Sequence, residues 1–197
     1  MRKTHWVAIT MLVLAAGTAT AAEPSYTYLE GGYVDVGADL DLDLDLDILG
    51  LVETDGWFAG FSFRLANFHF IGNYEKISGV LDFSDTTTWN AGAGWHGLLG
   101  RRADLVIEAS YIDFTMDTPD GKISENGYLG TGGIRWRLVK WFEINGFVNY
   151  TDLDVATGGT SYEINAVFYL GPINLGLGYK TNDVEIAAAY LRWNFGG

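Results

Sequence analysis

The stretch Val184-Glu185-Ile186-Ala187-Ala188-Ala189-Tyr190-Leu191-Arg192-Trp193-Asn194-Phe195 decides the fold. Every second residue, Ala187, Ala189, Leu191, Trp193 and Phe195, is apolar, and the last two are aromatic. The residues between them turn polar toward the end, through Tyr190, Arg192 and Asn194. A β-strand shows two such sets on opposite faces. An apolar set at the end of the chain reads as the outer face of a strand that closes a membrane barrel, with Leu191, Trp193 and Phe195 as a terminal aromatic signal. Gly196 and Gly197 follow Phe195, so the aromatic is not the final residue.

The same alternation recurs along the chain in segments of about ten residues parted by turn residues, the pattern of a transmembrane barrel. Ten segments are predicted: 26–36, 57–65, 68–75, 88–97, 105–114, 128–137, 142–151, 162–170, 173–180 and 184–195. The expected fold is all-β, a transmembrane antiparallel up-and-down barrel of about ten strands. Eight is the alternative, because the link 181–183 is short for an external loop. Connections 66–67, 98–103, 138–141 and 171–172 are short. Connections 37–55, 76–87, 115–126 and 152–161 are long. Short periplasmic turns, long external loops and both termini in the periplasm follow from an even strand number. Outward aromatics gather at two levels, as two membrane interfaces require. Phe68, Trp95, Trp136, Phe142, Trp193 and Phe195 mark the periplasmic level, and Trp57, Tyr74, Trp89, Tyr111, Tyr128, Tyr150, Tyr162 and Tyr179 the external one.

Arg2 and Lys3, the apolar run Trp6–Ala16 and the small-x-small site Ala19-Thr20-Ala21 make residues 1–21 a secretory signal peptide. The run is shorter than the ~20 residues of a spanning helix. Residues 22–197 form one barrel domain, exported through the Sec pathway to the cell outer membrane. The chain has no Cys, which excludes a disulfide scaffold and a lipid-modified cysteine. Its net charge of -13 argues against nucleic acid as a partner.

The inward set balances the acids Glu30, Glu75, Glu108, Glu143 and Glu163 against the bases Arg64, Arg135, Arg137, Lys180 and Arg192. Opposite charges on neighbouring strands stabilise one another. Hairpin geometry sets Glu163 opposite Lys180, Glu108 opposite Arg135, Arg137 near Glu143 and Glu30 near Arg64. Glu30 is also the natural partner of Arg192 across the closing seam. About eight strands are just filled by side chains and about sixteen leave a channel, so a paired lumen of ten strands is expected to be plugged or narrowly permeable. His69 and His96 face inward on neighbouring strands and are set opposite each other. The pair serves either as a polar lumen contact or as a site that takes a transition metal or senses pH.

The first loop carries Asp39, Asp41, Asp43, Asp45 and Asp47, alternating with leucines. Extended chain spaces these carboxylates ~7 Å apart, and no Gly stands at the sixth position of an EF-hand loop. The metal-binding expectation is therefore weak, shared divalent-cation binding; a solvated loop is the alternative. No cofactor is expected. No enzyme is expected either, since the acidic loops lack His and no Ser pairs with His69 or His96. The function that remains is a structural or surface-interaction role for a plugged barrel. The alternative is a narrow channel for small solutes. The expected partners are outer-membrane lipid and lipopolysaccharide, with the chain a monomer.

At Tyr26-Thr27-Tyr28-Leu29-Glu30-Gly31-Gly32-Tyr33 and Asn67-Phe68-His69-Phe70-Ile71-Gly72-Asn73-Tyr74 the chain resembles a family of small Gram-negative outer-membrane barrels, porin-like in kind, labelled a sulfation-dependent quorum factor. The acidic first loop, Asp55-Gly56-Trp57 and Gly92-Ala93-Gly94-Trp95 add to the likeness. The resemblance implies an integral barrel delivered by periplasmic chaperones, inserted by the barrel-assembly machinery and shed in vesicles. It adds no sequence feature that supports a signalling role.

Overall fold

A computed structural model describes residues 24–37, 54–80, 84–119, 121–154, 159–181 and 185–195. The predicted signal peptide and the run Asp39–Asp47 lie outside them. The described chain forms ten strands. They are β1 (Tyr28–Gly37), β2 (Thr54–Leu65), β3 (Phe68–Val80), β4 (Ser84–Leu98), β5 (Ala103–Thr118), β6 (Gly121–Val139), β7 (Phe142–Leu153), β8 (Gly159–Tyr169), β9 (Ile173–Thr181) and β10 (Glu185–Asn194). Every strand pairs antiparallel with its sequence neighbours, and β1 pairs with β10 to close the barrel. The strand count is ten, not eight, because the short link after Thr181 still reverses the chain: Glu185 pairs with Thr181.

The barrel is inside-out relative to a soluble one. Phe63, Ile107 and Trp193 on its outer face are each 54 % exposed, whereas Glu143 inside is fully buried. Closure pairs every strand on both sides, which is what lets a sheet sit in lipid without a free edge. Rings meet around the loop end: Trp57 lies 5.2 Å from Tyr74, Trp89 lies 5.6 Å from Tyr111, and Tyr111 lies 6.3 Å from Tyr128. At the turn end Trp141, absent from the predicted girdle, lies over Phe168, and Phe142 is drawn half-buried against the same ring at 5.0 Å.

Two predicted loops are instead strand. Most of 76–87 belongs to β3 and β4, and nearly all of 115–126 to β5 and β6. Membrane strands need ~9–11 residues, so the 16 residues of β5 and 19 of β6 rise well beyond that span. Thr115 and Ser124 bond through their hydroxyls at 3.2 Å, and the Thr118 hydroxyl donates to the Gly121 carbonyl at 2.7 Å. Backbone pairing continues from Phe114 and Glu125 up to Thr118 and Gly121, which makes the predicted loop a ribbon.

Above the aromatic ring, the Lys76 ammonium meets the Asp85 carboxylate at 2.8 Å across β3 and β4. The hydrogen bond and charge of Asp85 raise the Lys76 pKa, and the hydrogen bond from Lys76 lowers that of Asp85. The signs fix the window. Asp85 contributes above its unfolded pKa and loses that contribution as pH falls through its lower folded value. Lys76 contributes below its unfolded pKa and loses it as pH rises through its raised value. Asp85→Asn is expected to bring the Lys76 titration back down, read by NMR of the lysine side chain, with little change in barrel stability because the pair is exposed.

The polar lumen as candidate functional site

Each strand turns alternate residues inward, so ten short polar sets share one interior. At the turn end they pack densely. Residues 24–27, just before β1, fold into the lumen and put Tyr26 there at 3 % exposure. Its ring stacks on His96 at 3.8 Å between centroids, and the Arg135 guanidinium lies 4.5 Å from it. Its hydroxyl donates to Asp104 at 3.0 Å, and its carbonyl accepts from the Ser62 hydroxyl at 2.7 Å. Arg135 also donates to the Ser25 carbonyl at 3.0 Å. The segment is thus held through main chain and side chain together.

Beside it, Arg135 donates from Nε and Nη2 to one oxygen of Glu143 at 2.9 and 2.7 Å. The other oxygen accepts from the Tyr169 hydroxyl at 2.8 Å and faces Arg137 at 3.6 Å. Arg137 in turn lies 3.9 Å from the Tyr169 ring centroid. These donors leave neither oxygen of the buried carboxylate without a partner. Across the seam Arg192 pairs with Glu30 at 2.7 Å and lies over the Tyr28 ring at 4.0 Å.

Other predicted pairings shift. Glu30 stands opposite Gly60, and Arg64 lies exposed at the turn-end rim, donating to the Ala66 carbonyl at 2.8 Å. Glu108 pairs with Thr131, not Arg135, whose partner across β5 is Asp104. The long ribbon closes at Thr118 and Gly121, which offsets the register by four residues. Glu108 instead meets His69 Nε2 at 2.7 Å. Glu163 does stand opposite Lys180 in the register, but its carboxylate accepts from the amides of Asn149 at 3.3 Å and Asn165 at 2.6 Å. Glu75 lines the lumen on β3.

His69 and His96 come together, though not opposite each other. His69 pairs with Gly94, and His96 is the diagonal neighbour, with the two Nδ1 atoms 3.3 Å apart. Gly94 makes this possible, because a Cβ there would run into the His69 ring and the Glu108 side chain. One tautomer set fits: His69 donates from Nε2 to Glu108, and His96 donates from Nδ1 to His69. That leaves His96 Nε2 as a buried acceptor without a partner. Among the described residues no group of three or more His, Cys, Asp or Glu is placed to hold a metal ion. Leu191 and Trp193 sit on the outer face as predicted. Phe195 lies just past β10, its N–H bonded to the Thr27 carbonyl at 3.1 Å, and its ring 5.5 Å from Trp193.

Three contributors were not singled out from sequence. Asp104 continues the inward series Val106, Glu108, Ser110 by one step, and that parity would have found it. Tyr169 is the inward residue of β8 at its turn. Tyr26 opens the predicted segment 26–36 with the inward parity of Tyr28 and Glu30, but β1 begins only at Tyr28, and alternation does not foretell that 24–27 fold into the lumen as a stopper. Above the dense cluster the lumen keeps a cavity of about 330 Å³.

No protein-family model matches the chain. No curated protein matches it either. Among solved structures it is similar to the KdgM porin, with TM-score 0.46 and 11 % identity over 85 % of this chain and 99 % of that one. It is also similar to Neisserial surface protein A, with TM-score 0.44 and 10 % identity over 87 % and 98 %. A de novo designed transmembrane β-barrel gives 0.41 and 13 % over 87 % and 98 %.

Proposed function

We propose that the chain is an integral outer-membrane barrel with a lumen stoppered at the turn end, and that it serves a structural or surface-interaction role. Its turns face the periplasm and its acidic loops the exterior, after Sec export and insertion by the barrel-assembly machinery. Outer-membrane lipid and lipopolysaccharide surround it as a monomer. The Asp39–Asp47 loop and the other acidic loops supply the interaction surface, with divalent cations as shared counter-ions. The family resemblance agrees with release in vesicles, and no signalling role is proposed. No catalytic role is proposed either.

The observation that carries this reading is Tyr26, wedged between His96, Arg135 and Asp104 and tied to Ser62. An ordered ring and four charged or polar neighbours leave little space for hydrated ions at that level. The apolar exterior supports the membrane setting. Conductance separates this from the narrow-channel reading. In planar bilayers the protein is expected to be silent, and reproducible discrete current steps would establish the channel instead.

A further inference from the structure

Above the stopper, the lumen cavity of about 330 Å³ has an organised wall. Its volume falls at the lower end of the ~300–1,000 Å³ typical of small-molecule sites. On one side runs a fixed polar ladder. Thr131 donates to the Asn149 carbonyl at 2.7 Å, and Asn149 and Asn165 both donate to Glu163. Asn73 donates to Asn90 at 3.2 Å. Each amide has two N–H groups and one carbonyl, so these bonds hold the planes still while leaving hydrogen-bonding capacity over. Another part of the wall is aromatic. Tyr28 lies under Arg192, and Tyr190 packs on Phe58 with ring centroids 5.9 Å apart. Gly176 lets Tyr190 lie flat against β9, since a Cβ there would meet its ring.

Asn145 adds a further amide side chain to the cavity wall. It is 3 % exposed, lines the cavity, and its Oδ1 has no partner. The charges narrow the chemistry further. Arg192 is held by Glu30 and Arg135 by Glu143, so the lumen cations other than Lys180 that face the cavity are already neutralised. Glu75, Glu108 and Glu163 remain against Lys180. An anion meets excess carboxylate here.

We propose that this chamber is a binding site for a neutral saccharide of one or two rings, entering from the loop end. Fixed amides and the Glu163 carboxylate recognise hydroxyls, and the rings of Tyr28, Tyr190 and Phe58 pack against sugar C–H faces. The site rests on the stoppered lumen for its floor.

The test uses the full barrel in an amine-oxide detergent, which carries no sugar headgroup. Titration calorimetry and saturation-transfer NMR are run with glucose, galactose, maltose and lactose, and with glucuronate and galacturonate. At least one neutral sugar is expected to bind, and its matched uronate at least about tenfold more weakly, equivalent to ~1.4 kcal/mol. Asn149→Ala and Asn145→Ala are each expected to weaken binding about tenfold, with folding checked by heat-modifiable gel migration. The proposal is overturned if no neutral sugar binds below about 10 mM, or if a uronate binds more tightly than its neutral parent. The wild-type series decides this even where a variant fails to fold. Silent bilayers with no sugar binding would remove the saccharide site and leave the stopper. Conducting bilayers whose current a neutral sugar interrupts would remove the stopper and leave the site.

Discussion

Replacing Glu143 by alanine is expected to lower the unfolding free energy of the barrel by about 3–5 kcal/mol, the largest loss for any single lumen substitution. Glu143 is fully buried and satisfies Arg135 twice, Tyr169 once and Arg137 by charge. Its removal strands two guanidinium groups, each 4 % exposed. The cost comes less from the lost attraction than from the cations left behind. Glu143→Gln preserves shape and isolates that charge effect, and most of the loss is expected to remain. Urea titration in lipid vesicles measures it. Glu163→Ala serves as comparison and is expected to cost less, because its partners are neutral amides beside the cavity. A Glu143→Ala barrel within about 1 kcal/mol of the parent would show that the cluster does not hold the lumen together.

The second large effect is on permeability. Tyr26→Ala is expected to turn a silent barrel into one with discrete current steps. The substitution removes the ring that fills the space between His96 and Arg135 and the hydroxyl bound to Asp104. Asp104 then loses a donor, so the opening comes with some loss of stability, about 1–3 kcal/mol for a hydrogen bond lost at a buried polar group. Tyr26→Phe keeps the ring and drops only the hydroxyl. It is expected to stay silent with a similar loss of stability, which separates filling from hydrogen bonding. Equal conductance in the alanine variant and the parent would place the barrier elsewhere in the lumen.

The sequence made the faces of the strands legible and left their register open. Leu191, Trp193, Phe63 and Ile107 point outward, and Arg135, Glu143, Glu163 and Arg192 inward, as alternation requires. A slip by an even number of residues leaves every side chain on the same face. Parity therefore survived where pairing did not. The β3–β4 hairpin lies two residues from the predicted register, which puts Gly94 rather than His96 opposite His69. The β5–β6 ribbon lies four residues away, which gives Arg135 to Asp104 and frees Glu108 for His69. Ion pairs depend on register, so Glu108–Arg135 and Glu30–Arg64 failed. Glu30–Arg192 held because the closing seam left one acid and one base at matching height. Tyr26 was illegible for a different reason. Residues 24–27 lie before β1, so inward parity alone does not reveal that they fold into the lumen, and their place depends on the His96, Asp104 and Arg135 that β4, β5 and β6 bring to them.

The central claim is an inside-out barrel whose alternate residues face lipid and lumen, and the absence of native cysteine makes it directly accessible to measurement. Single cysteines at positions 187 to 193 of β10, spin-labelled in lipid vesicles, report contact with oxygen in lipid and with a nickel chelate in water. The expected result is a period of two: high oxygen contact at Ala187, Ala189, Leu191 and Trp193, and low contact at Ala188, Tyr190 and Arg192. Uniform accessibility along the strand, or the opposite phase, would contradict the account.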